Sequence, residues 1–488
     1  MVRSRRWRGA EIAALGLASL AAACGSGAEL PGVRGAPGAS GSEADPILKW
    51  NEVAAQCVAD DHTGSHGPAE QGGPTLTSRA MAIVHLAMYD AFVEAASAAR
   101  VRYPLDVAPA FRDRGAVEAA VAQACHDTLV ALYPRKRYSV DRYLERTLAG
   151  IPVGAGRQEG VLAGSQAAAA ILAERADDGA EYGQLPVYPP TGVPPLPGQH
   201  QPDPTNPDQG LLSPGWGHVR TFSGLDVTAA GVRAPSPPGM TDPAYAAAYE
   251  EVKRLGGDAI STATERTAEQ TEIGLFWAYD GTAKLGAPPR FYNQLTRVIA
   301  RQQRNSPAQN ARLFALVNLA MADAGIACWD SKYFYNLWRP IVGIRQAETD
   351  GNGETGQDAT WTPLGAPASN RTSDRNFTPP FPAYPSGHAA FGAATLRILR
   401  HFYGTDTIAF ALKSDELSGR TTDYAGNHRS AVVRRYRSFS DAIAENARSR
   451  IYLGIHWAFD ADEGIRQGIA VADHVHATMP LAAALDSP

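Results

Sequence analysis

Three short stretches of this chain hold residue types that together could grip a tetrahedral oxyanion and move protons beside it. In Lys332-Tyr333-Phe334-Tyr335-Asn336-Leu337-Trp338-Arg339-Pro340 two cations stand seven residues apart, a spacing that puts both on one face of a helix. Pro340 then stops that helix, which leaves Arg339 on its last turn. In Pro385-Ser386-Gly387-His388, Ser386 reads as the N-cap of a helix that runs on to a stop at Gly404. The Ser386 hydroxyl and the Gly387 amide then meet at a helix N-terminus, where unpaired N–H groups and the helix dipole favour negative charge. His388 lies in the first turn, within reach of the same anion. In Ser449-Arg450-Ile451-Tyr452-Leu453-Gly454-Ile455-His456-Trp457-Ala458-Phe459-Asp460, Arg450 and His456 are six residues apart. A straight helix would point them about 120° apart, so a break near Gly454 is needed for both to reach one pocket. Asp460, one turn beyond His456, is placed to accept the Nδ1 proton and leave Nε2 free as a ligand or nucleophile.

Each stretch alone has an ordinary explanation: a solvated cation pair, a helix cap with an incidental histidine, a plain helix end. His85, at helical spacing from Met81 and Tyr89, reads as a satisfied core histidine. In combination and in this order the three are far more specific. A Lys, six residues, Arg-Pro; then Pro-Ser-Gly-His; then Ser-Arg, five residues, His, three residues, Asp: this resembles the pattern of the acid phosphatase/vanadium haloperoxidase superfamily, and every fixed position is present.

Phosphatases and haloperoxidases share this site because phosphate and vanadate have the same shape. The surroundings resemble the vanadium chloroperoxidases, in FTPPFPAYPSGHAAFGAA, in SRIYLGIHWAFDA and in FWAYDGTAKLGAPPRFYNQ, and the run SRAMAIVHLAMYDAF is similar to bacterial members. Likeness of this kind extends over most of residues 47–480. The resemblance implies vanadate as cofactor, held by Lys332, Arg339, Ser386, Gly387 and Arg450, with His456 as the single protein bond to the metal. It implies His388 as the acid–base group for peroxide and Lys332 as the cation that polarises it. Asp280 would pair with Arg450 and Asp460 would support His456. Trp329, three residues before Lys332, and Phe381, seven before His388, would line the halide site. Their plain alternatives are core aromatics for Trp329 and Phe381, and a surface acid for Asp280. The implied reaction is oxidation of chloride or bromide by hydrogen peroxide to hypohalous acid, passed on to a small organic acceptor, without haem or flavin. Two other readings fit the motifs: a secreted non-specific acid phosphatase with His456 as nucleophile, and a non-catalytic oxyanion-binding lipoprotein. The second has no use for the pair His388 and His456.

The elements that must position these residues are helical. Thr77–Ser97, Val117–Leu132 and Glu159–Ala176 are helix patterns in an N-terminal domain over 46–181. Residues 182–243 are dense in Pro and Gly and carry no periodicity; they read as an ordered connection, with Trp216 as its anchor. Helix patterns resume over 244–255, 264–279, 291–303, 306–327, 387–403, 441–453 and 458–478, in a C-terminal bundle over 244–488 that carries the site. The fold class is all-α: two helical bundles of the vanadium haloperoxidase/acid phosphatase type.

The formal charge of -5 and the lack of a basic stripe beyond the extreme N-terminus exclude a nucleic-acid partner. Residues 1–24 read as an export signal, with Arg3, Arg5, Arg6 and Arg8 ahead of a short apolar run from Ile12 to Ala23. Small residues before Cys24 mark it as a candidate lipid attachment point on a membrane-tethered protein, against plain cleavage and secretion. Residues 25–45 are a Gly/Ala/Ser/Pro-rich tether. No run of 18 or more apolar residues exists, which excludes the membrane-embedded lipid phosphatases. Cys57, Cys125 and Cys328 remain besides Cys24, enough for one internal disulfide outside the cytoplasm.

Overall fold

The computed structural model describes residues 45–64, 67–96, 114–183, 195–371, 375–479 and 481. The chain divides into Met1–Ala39 and Ser40–Pro488, and the described residues all lie in the second unit. The export signal over 1–24, Cys24 and the tether up to residue 44 lie outside the described residues. Asp45 already belongs to the folded body. Its carboxylate accepts the Ile47 and Leu48 amides and caps helix α1 (Pro46–Asp61), with Pro46 at the first helical position, where no N–H is needed.

Helices α2 (Gly73–Ala96), α3 (Arg114–Leu132), α4 (Arg137–Ala149) and α5 (Ala155–Glu174) follow, with a single turn α6 (Ala180–Gly183). The Ala-rich faces of α2, α3 and α5 pack as a bundle. Small residues permit the close approach: a Cβ at Gly164 on α5 would lie 2.4 Å from the Ala120 carbonyl oxygen of α3. The second half holds α7 (Pro243–Leu255), α8 (Ala268–Phe276), α9 (Pro288–Gln302), α10 (Pro307–Tyr335), α11 (Pro340–Arg345), α12 (Gly387–Tyr403), α13 (Phe439–Tyr452) and α14 (Ala458–Thr478). Two short strands, β1 (Phe410–Lys413) and β2 (Val433–Tyr436), pair antiparallel between α12 and α13. Among these helices α10, α12 and α14 form the second bundle, and α10 also packs on α2. One buried apolar cluster therefore runs from Ile47 to Leu481 through both halves.

Helix α10 has the length and mean hydropathy, 1.5, of a membrane span, but 94% of that window is buried inside the protein, as expected for a central core helix. At the seam between halves His85 is satisfied on both ring nitrogens. Nδ1 donates to the Met81 carbonyl at 2.7 Å, so Nε2 accepts from Asn51 at 2.8 Å. Burial pushes its pKa down to about 4, so it is a neutral core residue. Cys57, Cys125 and Cys328 are buried free thiols, and no disulfide forms among the described residues.

The arrangement around Arg339 differs from the helical-face expectation. α10 runs past residue 327 to Tyr335, which puts Lys332 in its last turn. Asn336 then takes a left-handed conformation, φ 53°, and ends the helix. Pro340 opens α11 instead of closing α10, and Arg339 is the extended residue just before it. Lys332 and Arg339 therefore converge because the chain turns between them. The intervening residues are braced by the Pro/Gly-rich connection: the His200 amide donates to the Asn336 carbonyl at 2.8 Å and the Trp338 amide to that of Gly198 at 2.9 Å. Further along the connection Trp216 is fully buried. Gly217 lies so close to α10 that a Cβ there would meet Asp330 Cα at 2.6 Å.

The contact of α14 with α12 depends on two glycines. A Cβ at Gly468 would lie 2.2 Å from the Ala390 carbonyl oxygen, and one at Gly464 2.5 Å from that of Ser386. Gly468→Ala is expected to lower the unfolding free energy by about 1–3 kcal/mol. Gly353→Ala, where nothing lies within 4 Å, should stay within about 0.5 kcal/mol of the parent. Urea unfolding of both variants checks the pair; equal stability would contradict the packing account.

Candidate active site

The site is assembled from helix ends. α10 brings Trp329 and Lys332, the start of α11 brings Arg339, and the start of α12 brings Ser386, Gly387 and His388. α13 ends with Arg450 in its last turn. Gly454, at φ 73°, then breaks the chain direction, and His456 follows before α14 begins. Here the sequence-based expectation of a break holds. Gly454 is fixed twice over: its φ is left-handed, and a Cβ would meet the Gly256 carbonyl oxygen at 2.5 Å.

Lys332, Arg339, Arg450, His456 and Asp460 are all buried. The Lys332 ammonium donates to the carbonyls of Pro382 at 2.8 Å, Ala383 at 2.9 Å and Pro385. Three acceptors match three ammonium protons, while burial pushes the pKa down to about 7. The carbonyl cage supports the charged form. Lys332 thus pins the loop ahead of Ser386 and places a positive charge behind it. Arg339 donates through Nε to the Phe381 carbonyl and through Nη1 to that of Ile455, each at 2.8 Å. Arg450 pairs with Asp280 at 2.7 Å. Burial pushes the Asp280 pKa up and Arg450 pulls it back.

The ring states of both histidines follow from their partners. Arg339 Nη1 lies 2.9 Å from His456 Nε2. A guanidinium has only donors, so Nε2 is the acceptor and the ring proton is on Nδ1. That proton faces Asp460 Oδ2 at 2.9 Å, an oxygen that also takes the Trp457 amide at 3.0 Å. His388 Nε2 lies 2.6 Å from the Ala278 carbonyl, which can only accept, so Nε2 carries the proton and Nδ1 is the basic nitrogen. Burial, then the neighbouring arginines, hold both histidines well below their ordinary pKa and therefore neutral.

Ser386 is the N-cap residue of α12, as expected, but its hydroxyl caps nothing. Among the described residues its Oγ, Arg339 Nη2, and Arg450 Nε and Nη1 are buried without a hydrogen-bond partner. Leaving such a group unsatisfied costs about 1–3 kcal/mol, more when it is charged. Among the described residues three buried cations face two carboxylates, the nearly buried Asp280 and the buried Asp460, so the site carries excess positive charge. Unspent donors, excess charge and an unprotonated imidazole Nε2, held for now by Arg339 Nη1, fit an oxyanion whose central atom bonds nitrogen, which is the chemistry of vanadate. The Gly387 amide, first in α12, points along the same helix axis. A side chain at Gly387 would press on the Trp329 ring at 3.3 Å.

A cavity of about 220 Å³ opens onto these groups, lined on one side by Asp280, His388, Arg450 and His456 and on the other by Trp329, Phe381 and Pro380. The Trp329 and Phe381 rings lie 4.9 Å apart between centroids, and Lys332 Nζ stands 5.7 and 5.1 Å from them. All the residues expected from the sequence thus come to one place: Lys332, Arg339, Ser386, Gly387, His388, Arg450, His456, Asp280, Asp460, Trp329 and Phe381. Sequence reasoning missed three contributors. Leu212, from the Pro/Gly-rich connection, forms part of the cavity wall, and its carbonyl accepts from Trp329 Nε1 at 3.2 Å. Tyr292 and Asn446 donate to the His388 carbonyl at 2.9 and 2.8 Å and so fix the first turn of α12. Nothing local in the sequence marks Leu212 or Asn446; Tyr292 falls in one of the chloroperoxidase-like segments.

Comparison with known proteins agrees with this geometry. Residues 312–482 match the family model of the VCPO second helical-bundle domain. The vanadium chloroperoxidase of Curvularia inaequalis is 34% identical over 500 aligned residues, covering 85% of this chain and 79% of that protein. The solved structure of a bacterial vanadium-dependent iodoperoxidase superposes with a TM-score of 0.68 at 23% identity, covering 88% of this chain and 96% of that one. A holo-type bacterial vanadium-dependent chloroperoxidase gives 0.60 at 19% identity, covering 88% and 97%. These two share the fold. The identity to the Curvularia enzyme, across most of both chains, goes further: this chain belongs to the vanadium haloperoxidase family.

Proposed function

We propose that this chain is an exported, vanadate-dependent haloperoxidase: hydrogen peroxide, a halide ion and a proton give hypohalous acid and water. The observation that carries it is the unprotonated His456 Nε2, which accepts from Arg339 Nη1, in a site where Arg339 Nη2 and Arg450 Nε and Nη1 are buried without a partner among the described residues. The Arg-rich start and short apolar run of residues 1–24 support export.

Arg339, Arg450, Ser386 and the Gly387 amide would hold the oxygens of vanadate and His456 Nε2 the metal. When bound, vanadate supplies a Lewis acid that activates peroxide without changing oxidation state. Asp460 keeps the His456 proton on Nδ1, so the lone pair stays available. His388 Nδ1 takes the proton of the incoming peroxide, and Ala278, Tyr292 and Asn446 keep that ring and its turn in place. Asp280 orients Arg450 and lies 3.8 Å from His388 Nε2. The Trp329 and Phe381 rings with their neighbouring prolines exclude water from one wall, which favours a weakly hydrated halide beside the Lys332 charge.

Three outcomes follow. Purified protein given vanadate, peroxide and chloride, bromide or iodide in turn should halogenate an acceptor and release little phosphate from p-nitrophenyl phosphate. Phosphate release without halogenation would overturn the reading. His456→Ala should abolish tight vanadate binding in an equilibrium titration, and Asp460→Asn should weaken it about 10–100-fold. Unchanged affinity in His456→Ala would refute its role as ligand. His388→Ala should keep vanadate but lose about 10²–10⁴ in kcat. Full turnover in that variant would remove His388 from the proton path.

A further inference from the structure

A second hollow, of about 490 Å³, adjoins the inner cavity and shares Gly281, Phe377 and Pro380 with it. The two differ in chemistry. The inner wall is aromatic and proline-rich; the outer one carries Arg371, Arg375 and Asn376 from the segment before Phe381, facing Thr205, Asn206 and Gln209 from the connection. Among the described residues no Asp or Glu lines it, although the chain as a whole is acidic at -5. Both arginines are exposed at the rim, and Arg375 has no ion-pair partner among the described residues. The Gln209 side-chain nitrogen is a buried donor without a partner among the described residues. The Arg375 guanidinium and the Gln209 amide donor, neither with a carboxylate partner among the described residues, select an anion. The volume is that of a small-molecule pocket, far larger than one halide ion needs.

We propose that this vestibule binds the organic acceptor as an anion: a small carboxylate carrying an electron-rich ring or double bond. Arg375 and Arg371 hold the carboxylate, and the ring lies toward Phe377 and Pro380, at the mouth of the inner cavity. Hypohalous acid formed inside then meets the acceptor on its way out. A C–H bond of the acceptor is replaced by carbon–halogen, the hydroxyl of the acid leaves with that proton as water, and no further oxidant is needed. The assignment rests on the haloperoxidase reading for this last step, but binding itself does not.

The test pairs para-hydroxyphenylacetate with its neutral amide, on the parent protein and on Arg375→Gln and Arg371→Gln/Arg375→Gln. In calorimetric titration of vanadate-loaded protein without peroxide or halide, the acid should bind the parent. It should bind the double variant about five- to tenfold more weakly, with vanadate uptake unchanged. In bromide oxidation assays the KM for the acid should rise by a similar factor, while the KM for the amide and for bromide stay put. Equal behaviour of acid and amide on the parent, or binding indifferent to both arginines, overturns the proposal. So does a rise confined to the bromide KM, which would make the rim a halide funnel only. Arginine-dependent binding in a protein that halogenates nothing would support the vestibule and sink the haloperoxidase reading instead.

Discussion

Three cations wholly out of water set the terms for the rest of this molecule. Lys332, Arg339 and Arg450 are at most 1% exposed, and among the described residues the carboxylates of Asp280 and Asp460 stand near them as counter-charges. Withdrawing an ion from water costs several kcal/mol even after the protein relaxes. The chain meets part of that cost with five backbone carbonyls, on Lys332 and Arg339, and with the Arg450–Asp280 pair. What remains unspent among the described residues lies on Arg339 Nη2, Arg450 Nε and Nη1 and Ser386 Oγ. Burial, reinforced by the same positive field, keeps His388 and His456 neutral, so one imidazole is available as a base and the other as a ligand. Anion binding and histidine reactivity are thus two consequences of a single electrostatic arrangement.

That arrangement needs stiff support, and long helices give it. Every charged group in the site stands where a helix stops or starts, or in the short step between two helices. Three devices aim them: the left-handed Asn336 after α10, the uncapped Ser386 before α12, and Gly454 between α13 and α14. Gly464 then brings α14 against the carbonyl of Ser386, so the element that holds Asp460 is locked onto the element that presents His388. A site built this way gains precision from the bundle while keeping its reactive atoms on irregular backbone. The connection from the first bundle closes one side through Leu212, so both halves of the chain shape the cavity.

Much of this was legible beforehand, for physical reasons. Charged residues at fixed spacing around Pro-Ser-Gly-His are few enough to stand out, and Ala-rich amphipathic helices declare themselves by period. The break at Gly454 could be argued from geometry alone, because Arg450 and His456 would otherwise diverge. Arg339 was misplaced because Pro340 serves equally well as a helix stop or a first helical residue, and the deciding stop at Asn336 leaves no periodic trace. The Pro/Gly-rich connection lies outside the described residues over 184–194; from 195 to 243 it packs on the second bundle with Trp216 buried, but its role as a wall was hidden. A segment without periodicity gives no sign of which carbonyl meets Trp329 Nε1. The vestibule was hidden for a related reason: Gln209 and Arg375 meet only through tertiary packing.

The central claim is that the donors left over around His456 exist to hold one oxyanion, with its central atom bonded to Nε2. A crystal structure of the protein soaked in vanadate tests this most directly. The account predicts a single vanadium bonded to His456 Nε2, with its oxygens on Arg339, Arg450 and Ser386, and with Arg339 Nη1 released from the imidazole. Vanadium elsewhere in the molecule, or bound here while His456 Nε2 still accepts from Arg339, would contradict it.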